Sequence, residues 1–133
     1  CKVHDSYLTD DEQYSYISLW CFLSAPLLIG CDMANMDDFT LNLLTNNEVI
    51  AVSQDPMVAP ARKMLVKNGQ IWSKKLYDGS YAVGFFHVDP YFILWDQDDA
   101  ESMQMRDYEF DFDLNLLGIE GKAMVRDLWR QKD

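Results

Sequence analysis

The stretch Ser24-Ala25-Pro26-Leu27-Leu28-Ile29-Gly30-Cys31-Asp32 decides how this chain is read. Its centre, Leu27-Leu28-Ile29-Gly30, is short and continuously apolar, with a proline before it and a glycine at its end. A run of that kind predicts a strand covered on both faces, as in a parallel sheet. Helical signals lie on either side. Upstream, Thr9 as N-cap and Glu12 three residues on form a capping box, with Asp10 and Asp11 at the positive end of the helix dipole. Tyr16, Ile17, Trp20, Cys21 and Leu23 follow at three- and four-residue intervals and predict an apolar helix face. Pro26 closes that helix, because the residue before a proline avoids the helical region. Downstream, a second helix is predicted from about residues 35–38 through Phe39, Leu41, Leu43 and Leu44. Asn46-Asn47 interrupts it, and residues 48–52 suit helix and strand equally. Helix, buried strand, helix is the repeating unit of an α/β protein. A single parallel strand makes no sheet, so this unit needs neighbours that the sequence does not contain.

The pattern changes near residue 57. Pro56-Met57-Val58-Ala59-Pro60 reads as a connector. Beyond it, Asn68-Gly69 and Asp78-Gly79 are hairpin signals, since these residues tolerate the positive φ of tight turns. They separate predicted strands at residues 63–66, 71–75 and 81–88, and residues 91–95 read as another. Residues 108–114 alternate, with Tyr108, Phe110, Phe112 and Leu114 on one face and Glu109, Asp111 and Asp113 on the other. Residues 122–129 again look extended, with Val125, Asp127 and Trp129 on one face. The second part is therefore expected to be an antiparallel β-sandwich or open β-domain.

Composition narrows the function. The 133 residues carry a formal net charge of −11, and no basic stripe offsets it, so a nucleic-acid backbone or an anionic membrane surface is no partner. A hydrophobic fraction of 49% implies a packed core rather than an acidic tail. No apolar run approaches the roughly 18 residues of a membrane span. The opening Cys1-Lys2-Val3 reads as the interior of a longer chain. Cys1, Cys21 and Cys31 are too few and too irregular for a disulfide framework or a zinc site. Cys21 is expected to be a buried free thiol.

Several constellations invite chemistry. Asp96-Gln97-Asp98-Asp99 resembles the start of a calcium loop, but Glu101 stands where the EF-hand glycine belongs and Asp107 where its bidentate glutamate belongs. A solvated acidic loop is expected, and for Glu109, Asp111 and Asp113 the wet face of a strand. His4-Asp5 has no nucleophile at recognisable spacing, and His87 stands alone near a strand end. Trp72, Trp95 and Trp129, with Met103 and Met105, suit either a sugar-stacking platform or core packing. Asp32 is the residue to keep. It directly follows the predicted parallel strand, where barrels and doubly wound sheets carry their active sites. Three roles are open to a carboxylate there: catalysis, substrate binding or orientation of the next loop.

The order of these motifs resembles one family. Ser18-Leu19-Trp20, then residues 24–32, then Leu43-Leu44-Thr45-Asn46-Asn47-Glu48-Val49-Ile50-Ala51-Val52-Ser53-Gln54-Asp55-Pro56 is similar to the end of the catalytic domain in α-galactosidases of glycoside hydrolase family 27. Val125-Arg126-Asp127-Leu128-Trp129 is similar to a strand motif of that family's C-terminal β-domain. The resemblance implies the last part of a (β/α)8 barrel over residues 1–57 (helix 7, strand 8, helix 8), then an antiparallel β-sandwich over residues 58–133. It implies a retaining hydrolase of terminal α-galactosides that uses two aspartates, neither matched in this chain, with no cofactor and no metal. On that register the chain alone is expected to be inactive. Cys31 and Asp32 become a pocket-rim pair, and Gln54 and Asp55 the structural crossover into the β-domain. Ser53-Gln54-Asp55-Pro56-Met57-Val58 departs from the family's usual Asn-Gln-Asp-Pro-Leu-Gly. Self-association through an exposed barrel face, and a secreted, periplasmic or lysosomal setting, are further expectations. Its alternative is a non-catalytic carbohydrate-binding or accessory β-module, with exposed tryptophans, or a purely structural domain.

Overall fold

The computed structural model describes residues 7–66, 69–87 and 109–133. Three helices come first: α1 (Asp10–Phe22), α2 (Asp38–Thr45) and α3 (Asn47–Ser53). The α1 capping box forms as expected: the Thr9 amide donates to Glu12 Oε2 (2.7 Å) and the Glu12 amide to Thr9 Oγ1 (3.3 Å). The helix stops earlier than Pro26 would require. Leu23 is its C-cap and Ser24 turns into the left-handed region at φ 53°, the place where helices usually put glycine. The expected single apolar face is in fact two. Cys21 and Phe22 are buried, whereas Tyr16, Trp20 and Leu23 are exposed.

Residues 27–30 are not a strand. Leu27 packs on the core, but Leu28 is 91% exposed and Ile29 48%. A parallel strand exists only through hydrogen bonds to neighbours. The sheet among the described residues is antiparallel and built from residues 62–87, and the predicted buried strand has no partner strand among those residues. Asp37 caps α2 by accepting from the Thr40 amide at 2.7 Å. Residues 48–52, ambiguous by pattern, are helical because Asn46 caps them. Its Oδ1 accepts from the amides of Glu48 (3.1 Å) and Val49 (3.2 Å).

The connector leads into β1 (Arg62–Val66), β2 (Gly69–Lys75) and β3 (Tyr81–His87), an antiparallel meander in the order 1-2-3. Gly69 already pairs with Val66, and Asn68 of the expected first turn lies outside the described residues. The second turn spans residues 76–80, with Gly79 at φ +89° and the Asp78 carboxylate accepting from the Ser80 amide. Phe110 and Phe112 pack on Phe85 at 5.5 and 5.7 Å between ring centroids, while Glu109, Asp111 and Asp113 are exposed. The side-chain alternation predicted there is present, without a strand assignment at residues 109–113.

The expected strand at residues 122–129 does not form: residues 122–126 carry no ladder, and a turn at residues 128–131 follows. Val125 is 74% exposed, and Asp127 Oδ1 accepts from the amides of Trp129 and Arg130 while its backbone bridges to Lys132. An aspartate that bonds amides two and three residues on favours a turn over a ladder. Trp129 folds back onto α1, edge-on to Tyr14 at 4.7 Å and donating its indole N–H to Ser18 Oγ (3.0 Å). The core lies where helices meet sheet. Cys21, Phe22, Val49, Val52 and Ala82 form its buried centre, with Trp72, Phe86 and Trp129 packed against it.

Candidate functional site

Two places gather the residues singled out by sequence. The first is an apolar groove of about 470 Å3 between α1 and residues 26–31, lined by Tyr16, Ile17, Trp20, Leu27 and Ile29 and ending at Cys31. Asp32 follows at its end, as the N-cap of a short 3-10 turn, Met33–Asn35. Its Oδ1 accepts from the Ala34 amide (3.0 Å) and its Oδ2 from Asn35 Nδ2 (2.6 Å). The Asn35 amide group, then the Ala34 N–H, hold the Asp32 carboxyl below the usual carboxylate range. A general acid needs the opposite shift, so Asp32 stays an ionised acceptor that organises its loop.

The second place is the junction of helices and sheet. Gln54 closes α3, its amide donating to the Ile50 carbonyl at 3.0 Å. Asp55 is buried at 8% exposure. Its Oδ1 accepts from the Met57 amide (3.0 Å) and its Oδ2 from the Tyr77 amide (2.8 Å), which joins the end of α3 to the β2–β3 turn. Lys74, only 2% exposed, donates from Nζ to Ser24 Oγ (2.6 Å) and to the Val52 carbonyl. Burial lowers the Lys74 pKa, against the pull of Asp55 and Cys21. Burial pushes the Cys21 thiol up to about 11, with Lys74 acting against it. Nothing in the sequence marked Lys74, because a lysine in a strand is ordinarily solvated.

A third feature was also missed. Arg126 meets Glu48 through two hydrogen bonds of 2.8 Å and reaches Asp133 with its remaining nitrogen, so the chain end is clasped to the start of α3. The Asn46 cap adds to this clasp by donating from Nδ2 to the Leu128 carbonyl at 3.0 Å.

The tryptophan platform does not form from the described pair. Trp72 and Trp129 are half-buried against the core, and Trp72 donates its indole N–H to Gln70 (3.1 Å). His87 ends β3. His4-Asp5, residues 96–99, Trp95, Met103 and Met105 lie outside the described residues.

With the geometry established, likeness to known proteins decides the family. Residues 66–133 match the family described as alpha galactosidase C-terminal beta sandwich domain, and residues 3–55 that described as alpha galactosidase A. α-Galactosidase 3 of Arabidopsis thaliana is 34% identical over 139 residues, covering 99% of this chain. The chain belongs to the α-galactosidase family. The α-galactosidase of Cyamopsis tetragonoloba is 33% identical over 131 residues, covering 96% of the chain. This family member spans only 28% of the length of each of these two relatives. Among solved structures, α-galactosidase I from Mortierella vinacea superposes with a TM-score of 0.57 at 31% identity, over 62% of this chain and 21% of that one. The Saccharomyces cerevisiae α-galactosidase, solved with raffinose, gives 0.56 at 28% identity, over 65% and 22%.

Proposed function

We propose that this chain is the C-terminal part of a retaining α-galactosidase-like glycoside hydrolase that cleaves terminal α-galactosides. On this reading residues 1–57 are the end of a (β/α)8 barrel and residues 58–133 a β-sandwich domain. The observation that carries it is the continuity of the match, since one alignment with an α-galactosidase covers 99% of the chain. Residues 27–30 would become the eighth barrel strand once their neighbours are present, and the open apolar groove along α1 is the surface such neighbours would cover.

The chemistry needs two carboxyl groups about 5 Å apart, one forming a glycosyl-enzyme and the other protonating the leaving oxygen. Asp32 and Asp55 do not fit those roles. Both oxygens of each accept hydrogen bonds from the chain's own amides. Cys31 and Asp32 instead shape a pocket rim, and Gln54 and Asp55 hold the crossover between the two parts. The catalytic pair is supplied elsewhere, and this chain alone is inactive. Its exposed apolar face also favours self-association.

The test pairs the 133-residue chain with the same gene extended to a whole barrel, on a panel of aryl α- and β-glycosides. Hydrolysis of the α-galactoside by the long form alone is expected. Turnover by the 133-residue chain refutes its inactivity, and a folded long form that cleaves nothing refutes the enzyme assignment.

A further inference from the structure

Lys74 is the sixth of the seven residues of β2, and its ammonium group serves the ends of two helices. Val52 lies in the last turn of α3, and Ser24 two residues beyond the end of α1. Neither helix has a basic residue in its last turn. Helix C-termini carry partial negative charge and carbonyls without helical partners. The strand therefore supplies the cation that the two helices lack.

Ser24 is the residue most in need of it. Its φ of 53° lies in the left-handed region, which a residue with a side chain adopts at a cost. Around it the hydrogen bonds converge. Ser24 Oγ donates to the Ala59 carbonyl (3.3 Å) and accepts from Lys74 (2.6 Å). On either side, the Phe22 carbonyl accepts from the Ala61 amide (2.9 Å) and the Ala25 carbonyl from Ser53 Oγ (3.4 Å). From this turn the chain leaves as the groove wall, with Leu28 fully in the open.

We propose that Lys74 is a positioning residue: its ammonium, held between Ser24 Oγ and the Val52 carbonyl, fixes the left-handed turn at Ser24 and so sets the course of the groove wall from Pro26 to Cys31. The sheet thus governs the groove through one side chain. The inference concerns conformation and stands whether or not the glycosidase reading holds.

The experiment is residue-resolved hydrogen exchange on the 133-residue chain as wild type, Lys74→Met, and Lys74→Met combined with Ser24→Gly. Methionine keeps the apolar stem and removes the donor. Glycine adopts positive φ without strain. In Lys74→Met the amides of Ser24 and Ala61 should exchange about tenfold faster or more, while the β2–β3 ladder changes by less than about twofold. The added Ser24→Gly should restore Ala61 protection to within about threefold of wild type. A lysine that only adds bulk stability would give uniform loss and no rescue. Unchanged Ser24 and Ala61 protection in Lys74→Met, uniform loss, or absent rescue each overturns the proposal. If Lys74→Met alone does not fold, folding of the double variant supports it and failure of both overturns it.

Discussion

Asp55→Ala is the substitution that tests the junction most directly. The wild-type carboxylate is buried and accepts from two backbone amides, Met57 at 3.0 Å and Tyr77 at 2.8 Å. Hydrogen bonds to an ionised group contribute roughly 1.5–3 kcal/mol each, and a buried donor left unpaired costs its desolvation. Asp55 also favours the protonated form of buried Lys74 through its charge, although the ammonium hydrogen-bonds to Ser24 and Val52 rather than to Asp55. The expected loss is therefore about 3–5 kcal/mol, a large share of the 5–15 kcal/mol typical of a domain. Asn at this position keeps the shape and one acceptor oxygen but turns an amide donor toward an amide donor, so about half that loss is expected. Urea unfolding followed by tryptophan fluorescence and by circular dichroism reads both, as a lower midpoint at unchanged slope. A loss below about 1 kcal/mol for Asp55→Ala would show that water replaces the carboxylate easily. The crossover role of Asp55 would then be wrong.

Cys21 gives the chain an alkaline limit. The folded thiol keeps its proton to about pH 11 while the unfolded one loses it from about 9, so the folded state binds more protons and stability falls through that window, by roughly 2–3 kcal/mol. Lys74 acts with the opposite sign. Its folded pKa is lowered, so its contribution rises as pH climbs toward the unfolded value. Comparing wild type with Cys21→Ala isolates the thiol, and equal stability slopes between pH 8 and 11 would refute the assignment. At Gly84, an added Cβ would lie 2.6 Å from the Phe22 ring and 2.8 Å from the Phe86 ring. Gly84→Ala should cost about 1–3 kcal/mol by thermal or urea unfolding, and a neutral result would mean that the two rings move freely. Glu48→Gln leaves Arg126 without its bidentate partner. It should speed exchange of the Asp127 and Lys132 amides and leave the sheet unchanged, and equal exchange with wild type would show that the clasp does not hold the chain end. In wild type, rising salt should produce the same effect.

What was legible in the sequence was local. The capping box at Thr9, the break at Asn46 and the positive-φ turn at Gly79 depend on residues a few positions apart, and each forms where its chemistry requires. The β2–β3 meander is legible for the same reason, since an antiparallel pair carries its own turn. The family was also legible, because several motifs occur in order along one chain. Among the site residues, the resemblance implies a crossover role for Asp55, and the bonds it accepts from the Met57 and Tyr77 amides are not legible from the sequence.

What was not legible depends on partners far away in sequence. Leu27-Leu28-Ile29-Gly30 has a strand's composition, but a parallel strand is a property of the sheet around it, and that sheet is not among residues 7–66, 69–87 and 109–133. Residues 122–129 differ for a local reason instead: the pattern suggested a strand, but the Asp127 side chain bonds its own following amides, which hydrophobic spacing does not record. Lys74 is the sharper case. In β2 the buried positions are Ile71 and Lys74, three residues apart, which breaks the period-2 rule by which strand faces are read. That break arises because two helix ends and the Ser24 hydroxyl converge on one point of the sheet. A hydrophobic pattern records which side chains avoid water. It does not record where the last carbonyls of one helix and the hydroxyl beyond another come together, and there the Lys74 ammonium donates to both.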